Sequence, residues 1–371
     1  MPKKFITRNS NVELLRINAM ALVVLNHFCQ QGAGMAFCFP FNVPFYLISH
    51  LGGLGDVLFF GITAYYAAIS SSSLNIKQRI KKIWLLERQL LWSSSVLLLL
   101  TLIIRINGFG FSSVDRAYLT ELSIKSVLPL CRSLWWYPSA YAVFVLLQPS
   151  LNRLLKTVGP SCHRNLSVLL FAIYSVTPAK GINLLGWTPL LFIYLYILIT
   201  YIVWYENPTP TILVGGLIVG LLVGLVSVTI AGLLNDDTAF VYLNYPQSFF
   251  SVVTGITVLL LVIRREKGRT KLINMIASKM FGVYLLLCYP TVELCAAKMI
   301  HALDAFAGGD WFLCFGLELI GAAAMMLSGV MFDSLRQAVF ALTIDTHRGR
   351  LFESLWLWLK CRFSCDLGVD H

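Results

Sequence analysis

Charge is what this chain has little of. Only 13% of its 371 residues are Asp, Glu, Lys or Arg, about half the roughly 25% usual in a soluble domain. So few charges cannot clothe a water-facing surface, which argues against an ordinary soluble enzyme. Acidic residues are scarcest, 18 against 29 Lys plus Arg, for a net charge of +11. The basic residues do not interleave with aromatics in a patch suited to single strands, so no nucleic-acid partner is expected. The nine cysteines show no metal-ligand spacing; Cys361 and Cys365 stand four apart with no partner pair, so neither zinc nor another metal is expected. Scattered apolar thiols are the plain reading, with a Cys29–Cys38 disulfide at the outer face as an alternative. No internal repeat is visible.

What is present is apolar sequence, 57% of the chain. Ten segments are long and apolar enough to span a bilayer, at roughly 14–35, 46–70, 84–105, 133–151, 165–179, 186–205, 212–234, 244–264, 274–299 and 311–332. Cations collect in alternate connections: Lys3, Lys4 and Arg8; Lys77, Arg79, Lys81 and Lys82; Arg153, Lys156 and Arg164; Arg264, Arg265, Lys267, Arg269 and Lys271; Arg336, Arg348 and Arg350. By the positive-inside bias these lie in the cytoplasm. The opposite connections are poor in cations and carry Asp236, Asp237, Asp304 and Asp310. The expected fold is an all-α integral membrane protein of about ten transmembrane helices with both termini cytoplasmic. Residues 1–335 form the membrane domain, and 336–371 form a cytoplasmic tail whose run from Arg350 suits an amphipathic surface helix. Basic residues before the short run Ala19 to Leu25 resemble a cleaved leader, but Asn26-His27 interrupts that run and the charge alternation needs it retained. Gly216, Gly220 and Gly224 repeat a small-residue spacing that predicts close helix packing.

Ionisable groups in such spans are costly and mark candidate sites. Arg16 and His27 are eleven positions apart, roughly three helical turns, so they share a face about 16 Å apart along the axis. Arg16, with Glu13 nearby, falls near one membrane surface and His27 near the middle. Asp56, in the next span, is expected to face His27 or Asn26, where a carboxylate would orient an imidazole. The basic cluster that includes Arg79 and Lys82 sets topology and can also hold an anionic ligand. Trp136, Tyr137 and Tyr141 open the fourth span, as interface anchors or as rings on which a sugar stacks. Glu293, Lys298 and Glu318 lie in later spans, Glu318 the deepest.

Taken in order, these segments resemble the membrane-bound acyltransferase-3 family of bacterial inner-membrane O-acyltransferases. Arg16 and His27 match the family's first-span spacing of a basic residue, ten positions and a His. Asp56-Val-Leu-Phe59-Phe60, the loop with Arg79 and Lys82, Leu134-Trp135-Trp136-Tyr137 with Tyr141 and Leu147-Gln-Pro149-Ser-Leu-Asn152, and Ser278-Lys-Met-Phe281-Gly282-Val-Tyr284 are similar to its later motifs. The chain departs at Thr63-Ala64-Tyr65, where the family usually has Ser-Gly-Tyr. It departs again at Leu287, beside Cys288, where a His is common, and in the tail.

The resemblance implies transfer of an acyl group, usually acetyl, from acyl-CoA as co-substrate to a hydroxyl of a cell-envelope glycan or its lipid-linked precursor. It implies His27 and Asp56 as catalytic residues, with His27 as base or as acyl carrier. Arg16, Arg79 and Lys82 would hold the CoA phosphates, and Trp136, Tyr137 and Tyr141 would meet the acceptor. The setting implied is a multi-pass protein of the bacterial inner membrane, surrounded by lipid, with homo-oligomerisation open. A transporter or flippase for an envelope glycan or small solute would use the same polar groups without bond making, and a glycan polymerase is a weaker third reading.

Overall fold

The computed structural model describes residues 8–70, 75–106, 115–177, 185–234, 245–345 and 350–366. Lys3, Lys4, Asp236, Asp237 and Arg348, used above for topology, lie outside the described residues. Fourteen α-helices follow in chain order: α1 Ser10–Cys29, α2 Val43–Ile48, α3 Gly52–Ile69, α4 Ile76–Ile106, α5 Arg116–Val127, α6 Trp136–Phe171, α7 Pro189–Tyr205, α8 Pro210–Leu234, α9 Phe249–Arg264, α10 Lys271–Ala277, α11 Met280–Leu287, α12 Pro290–Ala307, α13 Trp311–Leu342 and α14 Arg350–Asp366. No strand occurs among the described residues.

Helix starts follow local chemistry. Asn9 accepts from the Asn11 N–H ahead of α1, and Asp115 from the Tyr118 N–H ahead of α5. Thr188 caps α7 with Pro189 in its first turn. Asp310 accepts from both Phe312 and Leu313 ahead of α13, just after Gly308 closes α12 at a φ of 60°. Each side-chain oxygen satisfies an N–H that the first turn leaves orphaned.

Among the described residues, five helical stretches are long and apolar enough to cross a membrane: Ser10–Cys29, Val43–Ile69, Ile76–Ile106, Pro210–Leu234 and Trp311–Leu342. A sixth arises if Lys271–Leu287 and Pro290–Ala307, bent by 84° at their junction, count as one broken span. The apolar helices α7 and α9 are shorter, at 17 and 16 residues. Each of the ten expected segments falls on helix, but their limits differ. The segments at 133–151 and 165–179 belong to the single stretch α6, interrupted at Gly159, whose φ of 77° and ψ of 172° are non-helical. Pro160 follows, and a proline disfavours helical backbone at the residue before it. The boundary set at 335 falls inside α13, which continues to Leu342.

The centre is aromatic. Phe60 of α3 stacks on Phe192 of α7 with centroids 3.9 Å apart and meets Phe144 of α6 edge-on at 5.0 Å. Around it pack Val23, Val24 and Phe28 of α1 and Val283 and Leu285 of α11, all buried. Several helix pairs approach closely through glycine, two of them on elements used below. A Cβ on Gly55 would stand 2.5 Å from the Ala19 carbonyl oxygen, so α3 lies against α1. Gly216, Gly220 and Gly224 each face α9, at Thr257, Thr254 and Phe250, which is the packing their spacing predicts.

The tail helix is docked. Phe352 is 2% exposed, its ring 5.6 Å below the Lys81 ammonium and 6.3 Å from the Trp84 ring. Glu353 takes Lys77 at 2.5 Å and Lys81 at 3.1 Å. These two salt bridges hold the Glu353 carboxyl below the usual carboxylate range.

Candidate functional site

Among the described residues, two cavities bear on the expected site residues of α1. The first, about 320 Å³, is lined by Arg16 of α1, Thr63 and Tyr66 of α3, Arg79 and Lys82 of α4, and Tyr141 and Gln148 of α6, among others. All three cations expected to hold an anion therefore meet here, from helices far apart in sequence. Helical spacing sorts the basic cluster: Arg79 and Lys82, three apart, face the cavity, whereas Lys77 and Lys81, four apart, turn to Glu353. Arg16 is ion-paired with Glu13 one turn earlier. Arg79 is only 4% exposed and donates to the Val145 carbonyl at 3.0 Å. Lys82 makes no salt bridge among the described residues. Three cations against one carboxylate leave the cavity positive, as an anion site requires.

The second cavity, about 300 Å³, is lined by Val23, Asn26, His27 and Gln30 of α1, Gly52, Gly53 and Asp56 of α3, Trp136, Trp187, Pro246 and Tyr284. His27 and Asp56 thus border one space, but Asp56 does not orient the imidazole. Asp56 makes no hydrogen bond or ion pair among the described residues, and Asn26 instead accepts the Gly52 N–H at 3.2 Å. The imidazole meets Cys288 and Glu293. Its Nε2 stands 3.6 Å from Cys288 Sγ and its Nδ1 3.8 Å from Glu293 Oε1. Cys288 closes α11 and Glu293 lies in the first turn of α12. The break between these helices is what brings both to one ring. The three residues also fall within 4.8 Å of one another, as metal ligands would. The ring offers each neighbour a different nitrogen, however, which suits a proton relay better than a shared ion.

The three expected acceptor residues part company. Trp136 borders the His27 cavity together with Trp187. Tyr137 is 7% exposed and packs edge-on against Phe59 at 5.5 Å and Phe192 at 4.9 Å. Its backbone N–H points to the Tyr284 hydroxyl at 3.4 Å. Its ring belongs to the core and is not free to stack on a sugar. Tyr141, one turn further along α6, lies on the cationic cavity. A smaller apolar cavity of about 200 Å³, lined by Phe59, Thr63, Tyr137, Tyr141 and Phe281 among others, shares Thr63 and Tyr141 with the cationic one. Tyr137, on the side cavity, is in ring contact with both Trp136 and Tyr284, which border the His27 cavity.

Sequence reasoning passed over Cys288 as a site residue, named Glu293 without a role, and missed Trp187. Leu287, where the pattern this chain resembles usually has a His, stands beside Cys288 and was the available signal for it. Glu293 follows it by five positions, across a proline that starts a new helix, so no single-helix periodicity joins them. The Cys29–Cys38 disulfide does not form: both thiols are free, Cys29 buried and Cys38 exposed. Compared with known proteins, the chain matches no family model, no curated protein and no solved structure.

Proposed function

We propose that the protein is a multi-pass membrane O-acyltransferase of the acyltransferase-3 kind. It moves an acyl group, usually acetyl, from acyl-CoA to a hydroxyl of an envelope glycan or its lipid-linked precursor. The setting we propose is the bacterial inner membrane, with about ten spans, the short helices and the two arms of α6 among them, and both termini in the cytoplasm. The observation that carries the reading is the meeting of Arg16, Arg79 and Lys82 on one cavity, with His27 three turns along the same helix on another. A polyanionic donor with a distant reactive end needs that arrangement, a cationic grip and a separate base.

In the reaction, the acceptor hydroxyl gives its proton to His27 as its oxygen attacks the thioester carbonyl. The C–S bond breaks, and CoA leaves with a proton as the free thiol. Glu293 faces the other ring nitrogen and favours the tautomer that leaves Nε2 able to accept. Trp136 and Trp187, both on the His27 cavity, offer apolar faces to a sugar ring.

The experiment is transfer or hydrolysis of radiolabelled acetyl-CoA by purified protein and its His27→Ala variant in the same lipid. Loss of about 10²-fold or more is expected for the variant. Undiminished activity in the variant would remove His27 from the mechanism, and absence of CoA binding to the wild type would overturn the donor assignment.

A further inference from the structure

A second cluster lies away from both cavities, where α1, α12 and α13 meet. Cys314 of α13 donates its thiol to Asp304 Oδ1 of α12 at 3.0 Å and stands 3.9 Å from Glu318 Oε1, one turn along its own helix. The ligand atoms of Asp304, Cys314 and Glu318 all fall within 4.8 Å of one another. Cys29, the last residue of α1, adjoins the Glu318 carboxyl but is not among the ligand atoms that lie within 4.8 Å of one another. Cys29 and Glu318 are 0% exposed and Cys314 2%.

Protein groups alone leave this cluster unsatisfied. Glu318 Oε2 is buried with no hydrogen-bond partner. Neither Asp304 nor Glu318 forms a salt bridge among the described residues. An orphaned carboxylate oxygen at zero exposure is expensive, and two acidic groups side by side add repulsion. The surroundings are built. A Cβ on Gly32 would come 2.0 Å from Glu318 Oε1, so the chain leaving α1 passes directly over the carboxyl. The next residue, Ala33, donates its N–H to Asp304 Oδ2 at 2.8 Å and fixes that carboxylate from outside.

We propose that Asp304, Cys314 and Glu318 form a binding site for a divalent transition metal, with zinc preferred, that ties α12 to α13 beneath the end of α1. A thiolate beside two carboxylates favours zinc over magnesium or calcium. In a tetrahedral site with Zn–S near 2.3 Å and Zn–O near 2.1 Å, sulfur and oxygen ligands stand about 3.6 Å apart. The two S···O separations here, 3.0 and 3.9 Å, bracket that edge. Three protein ligands under a covered face leave a fourth tetrahedral position for water. The Cys314 thiol must give up its proton on binding, so affinity rises with pH. None of this rests on the acyl-transfer reading.

The test is metal analysis of full-length protein purified in detergent from zinc-supplemented cells. About one zinc per chain is expected, falling at least about tenfold in Cys314→Ser and Glu318→Gln and unchanged in His27→Ala. A variant that misfolds loses metal for another reason, so the wild type is also stripped with chelator and reloaded with Co²⁺ alone. A thiolate-to-cobalt charge-transfer band is expected. Folded wild type that holds no zinc and gives no band overturns the site. So does zinc kept by Glu318→Gln, and so does zinc lost on His27→Ala, which would move the ion to the His27, Cys288 and Glu293 group.

Discussion

His27 Nδ1 faces Glu293 Oε1 across 3.8 Å. That gap is too long for a direct hydrogen bond and suits one bridged by water. The carboxylate still favours a proton on Nδ1, which turns the Nε2 lone pair toward Cys288, the side on which the proposed transfer would need a base. Glu293→Gln keeps the shape and removes the charge. It is expected to lower kcat about tenfold and leave KM for acyl-CoA unchanged. Steady-state kinetics over a range of acyl-CoA concentrations checks this; a rise in KM alone would reassign Glu293 to binding.

Lys82 is the cleanest probe of the cationic cavity, because Arg16 is paired with Glu13 and Arg79 also holds the Val145 carbonyl. Lys82→Ala is expected to weaken CoA binding about tenfold with little change in folding, the size of one charge-assisted hydrogen bond. Arg79→Ala should weaken binding and also lower the thermal midpoint, since it strands a buried carbonyl. Isothermal titration with CoA, alongside thermal unfolding in detergent, separates the two. Equal CoA affinity in Lys82→Ala and wild type would remove Lys82 from the anion site.

Helix packing gives a test independent of function. A Cβ on Gly220 would stand 2.4 Å from Thr254 Oγ1, while one on Gly215 meets nothing within 4 Å. Gly220→Ala is therefore expected to destabilise by about 1–3 kcal/mol through overpacking. Gly215→Ala should be neutral or stabilising through better helix propensity. Thermal unfolding of both variants decides it, and matching losses would mean that α8 does not rest on α9 through this ridge.

Much of this was legible in the sequence. The eleven-residue interval on α1 and the three-residue interval between Arg79 and Lys82 are short, single-helix relationships, and the period of 3.6 reads them directly. The glycine ridge on α8 is of the same kind. What escaped depends on helix ends and on contacts between distant segments. The bend before Pro290 is a local backbone event inside an apolar run, where hydropathy stays high and gives no signal. At Gly159, by contrast, the Gly-Pro pair and the cations Arg153, Lys156 and Arg164 mark a break, and what the sequence does not show is that helix runs up to it from both sides. Gly32 comes against Glu318 only because the end of α1 and α13 pack together, and no spacing rule spans 286 positions. Tyr137 looked like an interfacial ring because aromatic composition is the same at a membrane surface and in an aromatic core.

The docked tail responds to pH with a definite sign. Glu353 is held below its ordinary range by Lys77 and Lys81, so its contribution is fully present above the free carboxyl value, about 4.3. That contribution fades as pH falls through the lower docked value. A nitroxide on the exposed Cys361 should report a tethered tail at neutral pH and a progressively more mobile one as pH falls below the free carboxyl value and through the lower docked one. Roughly 1 M salt should also loosen it at neutral pH by screening. Glu353→Gln should be mobile throughout; a variant as ordered as wild type would assign docking to Phe352 alone.

Because Arg16 and His27 are carried on one unbroken helix, their separation works as a ruler that no hinge can stretch. Any motion in a working cycle has to be made by the donor, the acceptor or the neighbouring helices around that rod. One residue inserted between them would turn His27 by about 100° out of its cavity while moving it only about 1.5 Å. A four-residue insertion would return it to nearly the same face about 6 Å farther along. The rod thus encodes angle and reach separately, and α1 is intolerant of length change even where its individual apolar side chains are interchangeable.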